Sequence, residues 1–132
     1  MEADRFGNNK VRGAILDTNI LMYVFLNRVD VITQLREEGF TRFAVTSSVL
    51  KELEKLEKSL KGKERRAAKF ARKLVESFEV IETQTTGDSS LLEGAEKHGY
   101  VLITNDKELK KKARARSIPV GYLKKNRRVV VD

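Results

Sequence analysis

The sequence predicts a three-layer α/β sandwich around a central, mostly parallel sheet of five strands. Three observations lead there. Short continuous apolar runs recur along the chain, separated by longer segments of helical character. The runs are continuous, as in strands buried on both faces, whereas half-buried strands alternate. Strand and helix alternate over the whole length, the pattern of parallel strands joined by crossovers.

Residues 1–11 are polar, carry Gly7, Asn8 and Asn9, and read as a flexible lead-in to one domain over 12–132. Gly13-Ala14-Ile15-Leu16 is the first strand and ends at Asp17. Ile20, Leu21, Tyr23, Val24 and Leu26 supply a helix, and a second helical stretch over 31–38 stops at Gly39. Phe43-Ala44-Val45 is the second strand. Ser47 or Ser48 caps a helix reaching residue 60, with Leu53, Leu56 and Leu60 on one face. Gly62 separates it from a further helix over 63–78, and Glu79-Val80-Ile81 is the third strand. A polar loop, Thr83 to Gly87, precedes a helix that carries Leu91, Leu92 and Ala95 and stops at Gly99. Residues 100–103 form the fourth strand, 107–116 the last helix and 119–123 the fifth strand. The tail is basic and then apolar, ending Val129-Val130-Val131-Asp132, and carries no assigned element.

At 132 residues with 40% apolar content, the chain suits one core. The absence of cysteine excludes a disulfide framework and a zinc–thiolate site. A single histidine, His98, excludes a histidine-rich metal site and a Ser-His-Asp triad, and its place before Gly99 marks it as a helix-end residue. No apolar run approaches the ~18 residues of a membrane span, and no secretory leader is read, so a cytoplasmic protein without a membrane partner is expected. The formal net charge is +8, from 27 basic and 19 acidic residues. That surplus favours a polyanionic partner, through counterion release from phosphates, and is equally compatible with a solvated basic surface.

The placement of the acids carries the chemistry. Asp17 lies just past the first strand, Asp106 just past the fourth, Glu52 in the first turns of the helix after the second, and Asp88 at the start of the helix after the third. Ligands of open parallel sheets bind outside the carboxyl ends of the strands, near the point where strand order reverses. Each aspartate also has a structural explanation as a helix cap, and Asn105 with Glu108 resembles a capping pair. Helical phase does not single out Glu52, since Glu57 lies nearer the middle of the apolar stripe. Depth does: Glu57 is about 7 Å further along the helix, away from the strand ends, at ~1.5 Å per residue. Converging carboxylates repel and raise one another's pKa unless a hard divalent cation joins them. Such cations support in-line attack on a phosphodiester without any cysteine or histidine.

Four segments carry a family likeness: Leu16-Asp17-Thr18-Asn19-Ile20-Leu21, Ser48-Val49-Leu50-Lys51-Glu52-Leu53, Gly87-Asp88-Ser89-Ser90-Leu91-Leu92, and Ile103-Thr104-Asn105-Asp106. In this order and spacing they resemble the motifs of PIN-domain nucleases, over about residues 13–123. The resemblance implies strand order 3-2-1-4-5 and Mg²⁺- or Mn²⁺-dependent endoribonuclease activity. It implies Asp17, Glu52, Asp88 and Asp106 as catalytic, metal-binding acids, with Thr18, Asn19, Thr104 and Asn105 as supporting polar groups. The stretch from Asn105 to Leu123 is more similar to the archaeal and eukaryotic ribosomal-RNA-processing branch than to the VapC toxins, so RNA maturation is the expected role. A VapC-like toxin and a catalytically weak RNA-binding scaffold are the alternatives. The processing branch often has a second aspartate where this chain has Ser89, which leaves one metal or two open.

Basic residues flank the acids. Lys63, Arg66, Lys69 and Lys73 after the second motif, and Lys107, Lys110 and Lys111 on the last helix, read as an RNA backbone track or as solvated helix faces. Only Glu64 opposes the first group in its own stretch. The aromatic residues fall in apolar patterns and read as core, not as stacking platforms. The apolar stretch from Ile20 to Leu26 is a candidate contact for a homodimer or larger homo-oligomer. RNA, ribosome-assembly factors or an antitoxin are the expected partners.

Overall fold

The computed structural model describes residues 12–132; the expected lead-in, 1–11, lies outside the described residues. The elements run β1 (Gly13–Leu16), α1 (Thr18–Asn27), α2 (Val31–Glu37), β2 (Arg42–Thr46), α3 (Ser47–Ser59), α4 (Gly62–Leu74), β3 (Glu79–Ile81), α5 (Gly87–His98), β4 (Val101–Ile103), α6 (Lys107–Ala115), β5 (Val120–Lys124) and β6 (Arg128–Val131). The sheet order is β3-β2-β1-β4-β5-β6, parallel throughout except that β6 returns antiparallel to β5.

The expected order 3-2-1-4-5 is present, with one strand added. From β1 the chain steps towards one edge of the sheet through β2 and β3, then crosses back to β4 and β5. Right-handed crossovers therefore put α1 to α4 on one face and α5 and α6 on the other. The packing agrees: α1, α3 and α4 contact one another, while α5 packs on β1, β2 and β4 and against α6. β1 is central and wholly buried, and with Leu102 and Ile103 it forms the floor on which both helical layers rest. Gly13 is required at its start, because a Cβ there would overlap the ring of Tyr100.

The sixth strand is the unassigned tail. Its turn carries no glycine: Lys125 and Asn126 take the left-handed conformation (φ 52° and 59°), and Arg127 N–H donates to the Lys124 carbonyl at 3.1 Å. Hairpins usually announce themselves by Asn-Gly or Asp-Gly, so this one has no sequence signal. Its outer edge is covered by Gln34, whose side-chain oxygen accepts from Val129 N–H (2.7 Å) and whose amide donates to the Arg127 carbonyl (2.9 Å).

Local hydrogen bonding moves several expected boundaries. α3 is capped by Thr46, the last residue of β2, whose hydroxyl accepts from Val49 N–H at 3.1 Å, and not by Ser47 or Ser48. α6 is capped by Asp106, not by an Asn105–Glu108 pair. α4 ends at Leu74 and tightens into a 3₁₀ turn, Val75–Ser77, before β3. Gly39 and Gly99 terminate α2 and α5 as expected, both at positive φ. No helix among the described residues is long and apolar enough to cross a membrane.

Candidate functional site

The site follows from one register. β1 and β4 are parallel neighbours with Leu16 opposite Ile103, and Asp17 N–H donates to the Ile103 carbonyl at 3.3 Å. The next residue of each strand, Asp17 and Thr104, therefore leaves the sheet beside the other. β1 is flanked by β2 on one side and β4 on the other, so this is where the strand order reverses and a crevice opens between the diverging connections.

Asp17 is only 7% exposed. One carboxylate oxygen caps α1 by accepting from Ile20 N–H at 2.7 Å; the other accepts the hydroxyl proton of Thr104. Thr104 is fully buried, and its oxygen in turn accepts from Asp106 N–H at 3.0 Å. A single hydroxyl thus couples the Asp17 carboxylate to the backbone that presents Asp106. Asp106 caps α6 through Leu109 N–H at 2.9 Å. Both acids are helix caps, as the structural explanation anticipated, and both also face a cavity of about 250 Å³ lined by Asp17, Asn19, Ile20, Tyr23, Asn105 and Asp106.

Burial pushes the Asp17 carboxyl from its ordinary value up to about 6, against the Thr104 hydroxyl and the Ile20 amide, which pull it down. The negative charges of Asp106 and Asp88 add to the rise. A desolvated carboxylate with two carboxylates near it and no cation opposite is the environment that a bound cation relieves. The donors at the cavity are oxygens only, the set preferred by Mg²⁺ and Mn²⁺ over softer metals.

Glu52 and Asp88 are placed differently. Glu52 is exposed on α3, and its carboxylate accepts from the Thr18 hydroxyl at 2.6 Å, one residue from Asp17. Asp88 is exposed in the first turn of α5. The helices that carry them are tied together: the Thr46 and Ser90 hydroxyls lie 2.9 Å apart, and Ser48 Oγ accepts from Gly87 N–H at 2.9 Å. Asp17 and Asp106 thus share a cavity, while Glu52 reaches it through Thr18 and Asp88 through its charge. Among the described residues, no three acidic or histidine side chains stand close enough to enclose one ion.

The supporting residues divide in the same way. Thr18 orients Glu52, Thr104 orients Asp17 and the Asp106 backbone, and Asn19 is exposed at the cavity wall. Asn105 does something else with its side-chain oxygen, which accepts from Leu123 N–H at 2.8 Å and pins β5 beside β4.

Of the basic residues, Lys63, Arg66, Lys69 and Lys73 are exposed on α4, and Lys107 and Lys111 on α6. Lys110 is half-buried with its ammonium 4.4 Å above the Tyr122 ring. The expectation that only Glu64 opposes the α4 cluster is corrected: Glu57 of α3 binds Arg72, and Glu76 lies 3.6 Å from it. Facing α4 is why Glu57 falls near the apolar stripe. Much of the α1 apolar face likewise packs against α4. His98 ends α5, exposed, its ring 5.5 Å from that of Tyr100. Two residues at the cavity were missed, Ile20 and Tyr23, and Ile20 is buried in its wall. Tyr23 is half-buried, lines the cavity and donates its hydroxyl to the Asn126 carbonyl at 3.0 Å. Its spacing matches the core face of α1, so the sequence carries no signal for this second role.

The crevice at the reversal point has an acid beyond the end of each of its two strands, and residues 14–126 match the family model described as a PIN like domain: the chain belongs to that family. Among its relatives, Ribonuclease VapC9 of Archaeoglobus fulgidus is 66% identical over all of this chain and 98% of its own length. Ribonuclease VapC4 of Methanocaldococcus jannaschii is 33% identical over 84% of this chain and 89% of its own. Among solved structures, the PIN domain endonuclease Utp24 superposes with a TM-score of 0.72 at 26% identity, over 91% of this chain and 90% of that one.

Proposed function

We propose that this chain is a divalent-metal-dependent endoribonuclease of the VapC type, acting on RNA in the cytoplasm. The observation that carries the reading is the buried Asp17 carboxylate sharing an oxygen-lined cavity with Asp106. Asp17 and Asp106 would hold Mg²⁺ or Mn²⁺, with Glu52 and Asp88 as the further acids. Such an ion supplies Lewis-acid polarisation of a phosphodiester and lowers the pKa of attacking water.

The chain's own residues prepare that chemistry. Thr104 holds the Asp17 carboxylate in one orientation by donating to it, and Ile20 N–H fixes its other oxygen. Thr18 turns Glu52 towards the same edge. Ile20 and Tyr23 form the apolar part of the wall and limit water there. Lysines and arginines of α4 and α6 provide backbone contacts that position RNA without reading its sequence.

The toxin-type reading replaces the expectation of ribosomal RNA maturation. Two relatives that cover most of this chain are named VapC. In the Asn105–Leu123 stretch, Asn105 and the Pro119 and Gly121 carbonyls join β5 to β4. An antitoxin protein that blocks the cavity is then the expected partner, and a homodimer is a second. Ser89 is exposed on α5 and is not part of the cavity wall, so it leaves the Asp17–Asp106 pair intact.

The test is RNA cleavage in Mg²⁺ or Mn²⁺, with chelator and with Asp17→Asn and Asp106→Asn proteins. Cleavage should vanish in all three; persistence in both variants removes these acids from the mechanism. Growth arrest on expression, relieved by a neighbouring small gene, separates a toxin from a processing enzyme.

A further inference from the structure

A second groove has Glu52 in its wall and is otherwise used by nothing described above. It has a volume of about 500 Å³, within the ~300–1,000 Å³ of pockets that hold small ligands. One wall is α3, with Lys51, Glu52 and Lys55; the other is the 83–87 loop between β3 and α5. Lys51 and Lys55 are exposed, one helical turn apart, and so face the same way. Glu52, which accepts from the hydroxyl of Thr18, the residue beside Asp17, stands in the wall of this groove.

The loop is built to hold its shape. The Glu93 carboxylate accepts from Gln84 N–H at 3.0 and 3.1 Å, from Thr85 N–H at 3.1 Å and from the Thr85 hydroxyl at 2.7 Å. Ser48 Oγ closes the far side by accepting from Gly87 N–H. The polar side chains along the groove are therefore presented by a fixed backbone. Apart from Leu56 they are hydroxyls, one amide and charged groups, with no aromatic ring. That lining suits hydrogen bonding to the edge of a base and the charge of a phosphate. Leu56 is its one large apolar side chain, fewer than the series of side-chain pockets by which grooves anchor a peptide.

We propose that this groove is a nucleotide subsite, which takes the RNA nucleotide next to the scissile phosphate. Lys51 and Lys55 contact its phosphate, and the Gln84 side-chain amide meets the edge of its base. The subsite rests on the ribonuclease reading for its place beside the cut, and adds to it a source of sequence preference that the exposed lysines of α4 and α6 do not supply.

The experiment uses a five-nucleotide RNA carrying one 4-thiouridine, bound to Asp17→Asn protein in Ca²⁺ so that it stays intact. Cross-links should map to peptides containing residues 51–56 and 83–87. In the same background, Lys51→Gln with Lys55→Gln should weaken binding ~10-fold and lower the slope of log Kd against log salt by ~1.4, whereas Lys97→Gln should not. Gln84→Ala in otherwise wild-type protein should alter the nucleotide preference beside the cut in a randomised RNA pool. Unchanged affinity and slope, with cross-links confined to α4 and α6, would overturn the subsite and leave the groove to another class of ligand. Cross-linking to the groove without cleavage by wild-type protein in any divalent metal would instead sink the nuclease reading and keep the subsite.

Discussion

Asp17 and Glu52 are both acids near the carboxyl edge of the sheet, and each accepts a hydrogen bond from a threonine hydroxyl, yet their surroundings are opposed. Asp17 is 7% exposed, gripped from two sides by Thr104 and Ile20, and its ionisation is pushed up to about 6 by burial. Glu52 is exposed on a helix and meets one hydroxyl. The contrast teaches that hydrogen bonds alone do not make a carboxylate comfortable. Two donors do not offset the loss of water around Asp17, so that half of the site carries stored unfavourable energy in the metal-free protein. A cation bound there would relieve the Asp17 side.

The largest effect separating the two halves is expected from Asp17→Asn. Cleavage should fall by at least ~10²-fold, while the metal-free protein becomes more stable at pH 7.5. The rise from 3.8 to about 6 corresponds to up to ~3 kcal/mol. The sign sets the pH window. Below pH 3.8 the group is protonated in both states and adds nothing. Between there and about 6 the unfolded chain ionises first, so metal-free stability should drop as pH rises and level off above. Thermal melts across pH 4 to 7.5 check this, and wild-type and Asp17→Asn curves that stay parallel would contradict it. Saturating Mg²⁺ should flatten the wild-type decline and leave the variant's curve where it is.

Next in size is Thr104→Val, which keeps the shape and removes the hydroxyl. The Asp17 carboxylate loses a donor and Asp106 N–H an acceptor, at a loss of ~1–3 kcal/mol in stability. Asp17 should titrate still higher, and the pH at which cleavage reaches half its maximum should move up with it. A profile that does not move would show that Thr104 only packs.

Glu52→Gln should be milder in the fold than in the chemistry. Its melting temperature should match wild type, because the side chain is exposed, while cleavage slows. Thr18→Val should slow cleavage less than Glu52→Gln, since it only frees the Glu52 side chain. An equal loss would mean that Thr18 itself touches RNA. Ser89→Asp is the smallest: melting unchanged, with a second step in Mn²⁺ titration if α5 can hold another ion. A single step would assign Ser89 to the surface.

Most of the architecture was legible because it depends on local pattern. Apolar runs buried on both faces mark β1, β2 and β4, and glycine at positive φ ends α2 and α5. The placement of Asp17 and Asp106 was legible because each follows closely on the end of a strand, β1 and β4. Three features were not. The Lys125–Asn126 turn lacks glycine, so nothing local marks β6; Asn105 stands at the cavity wall and in addition pins β5 beside β4; Tyr23 keeps core spacing and still reaches the cavity. In each case a contact between residues far apart in sequence outweighs the local signal.

Composition and order along the chain were enough to specify the kind of chemistry open to this protein: oxygen ligands, no thiols, one histidine, and a basic surface. They also specified which acids stand at strand ends. Folding alone decided how these acids differ, because the pairing of Leu16 with Ile103 puts Asp17 under Thr104 and away from water, while α3 leaves Glu52 in solvent. Charge is written residue by residue, but its energy depends on how much water remains around it, and that quantity exists only once the strands have met.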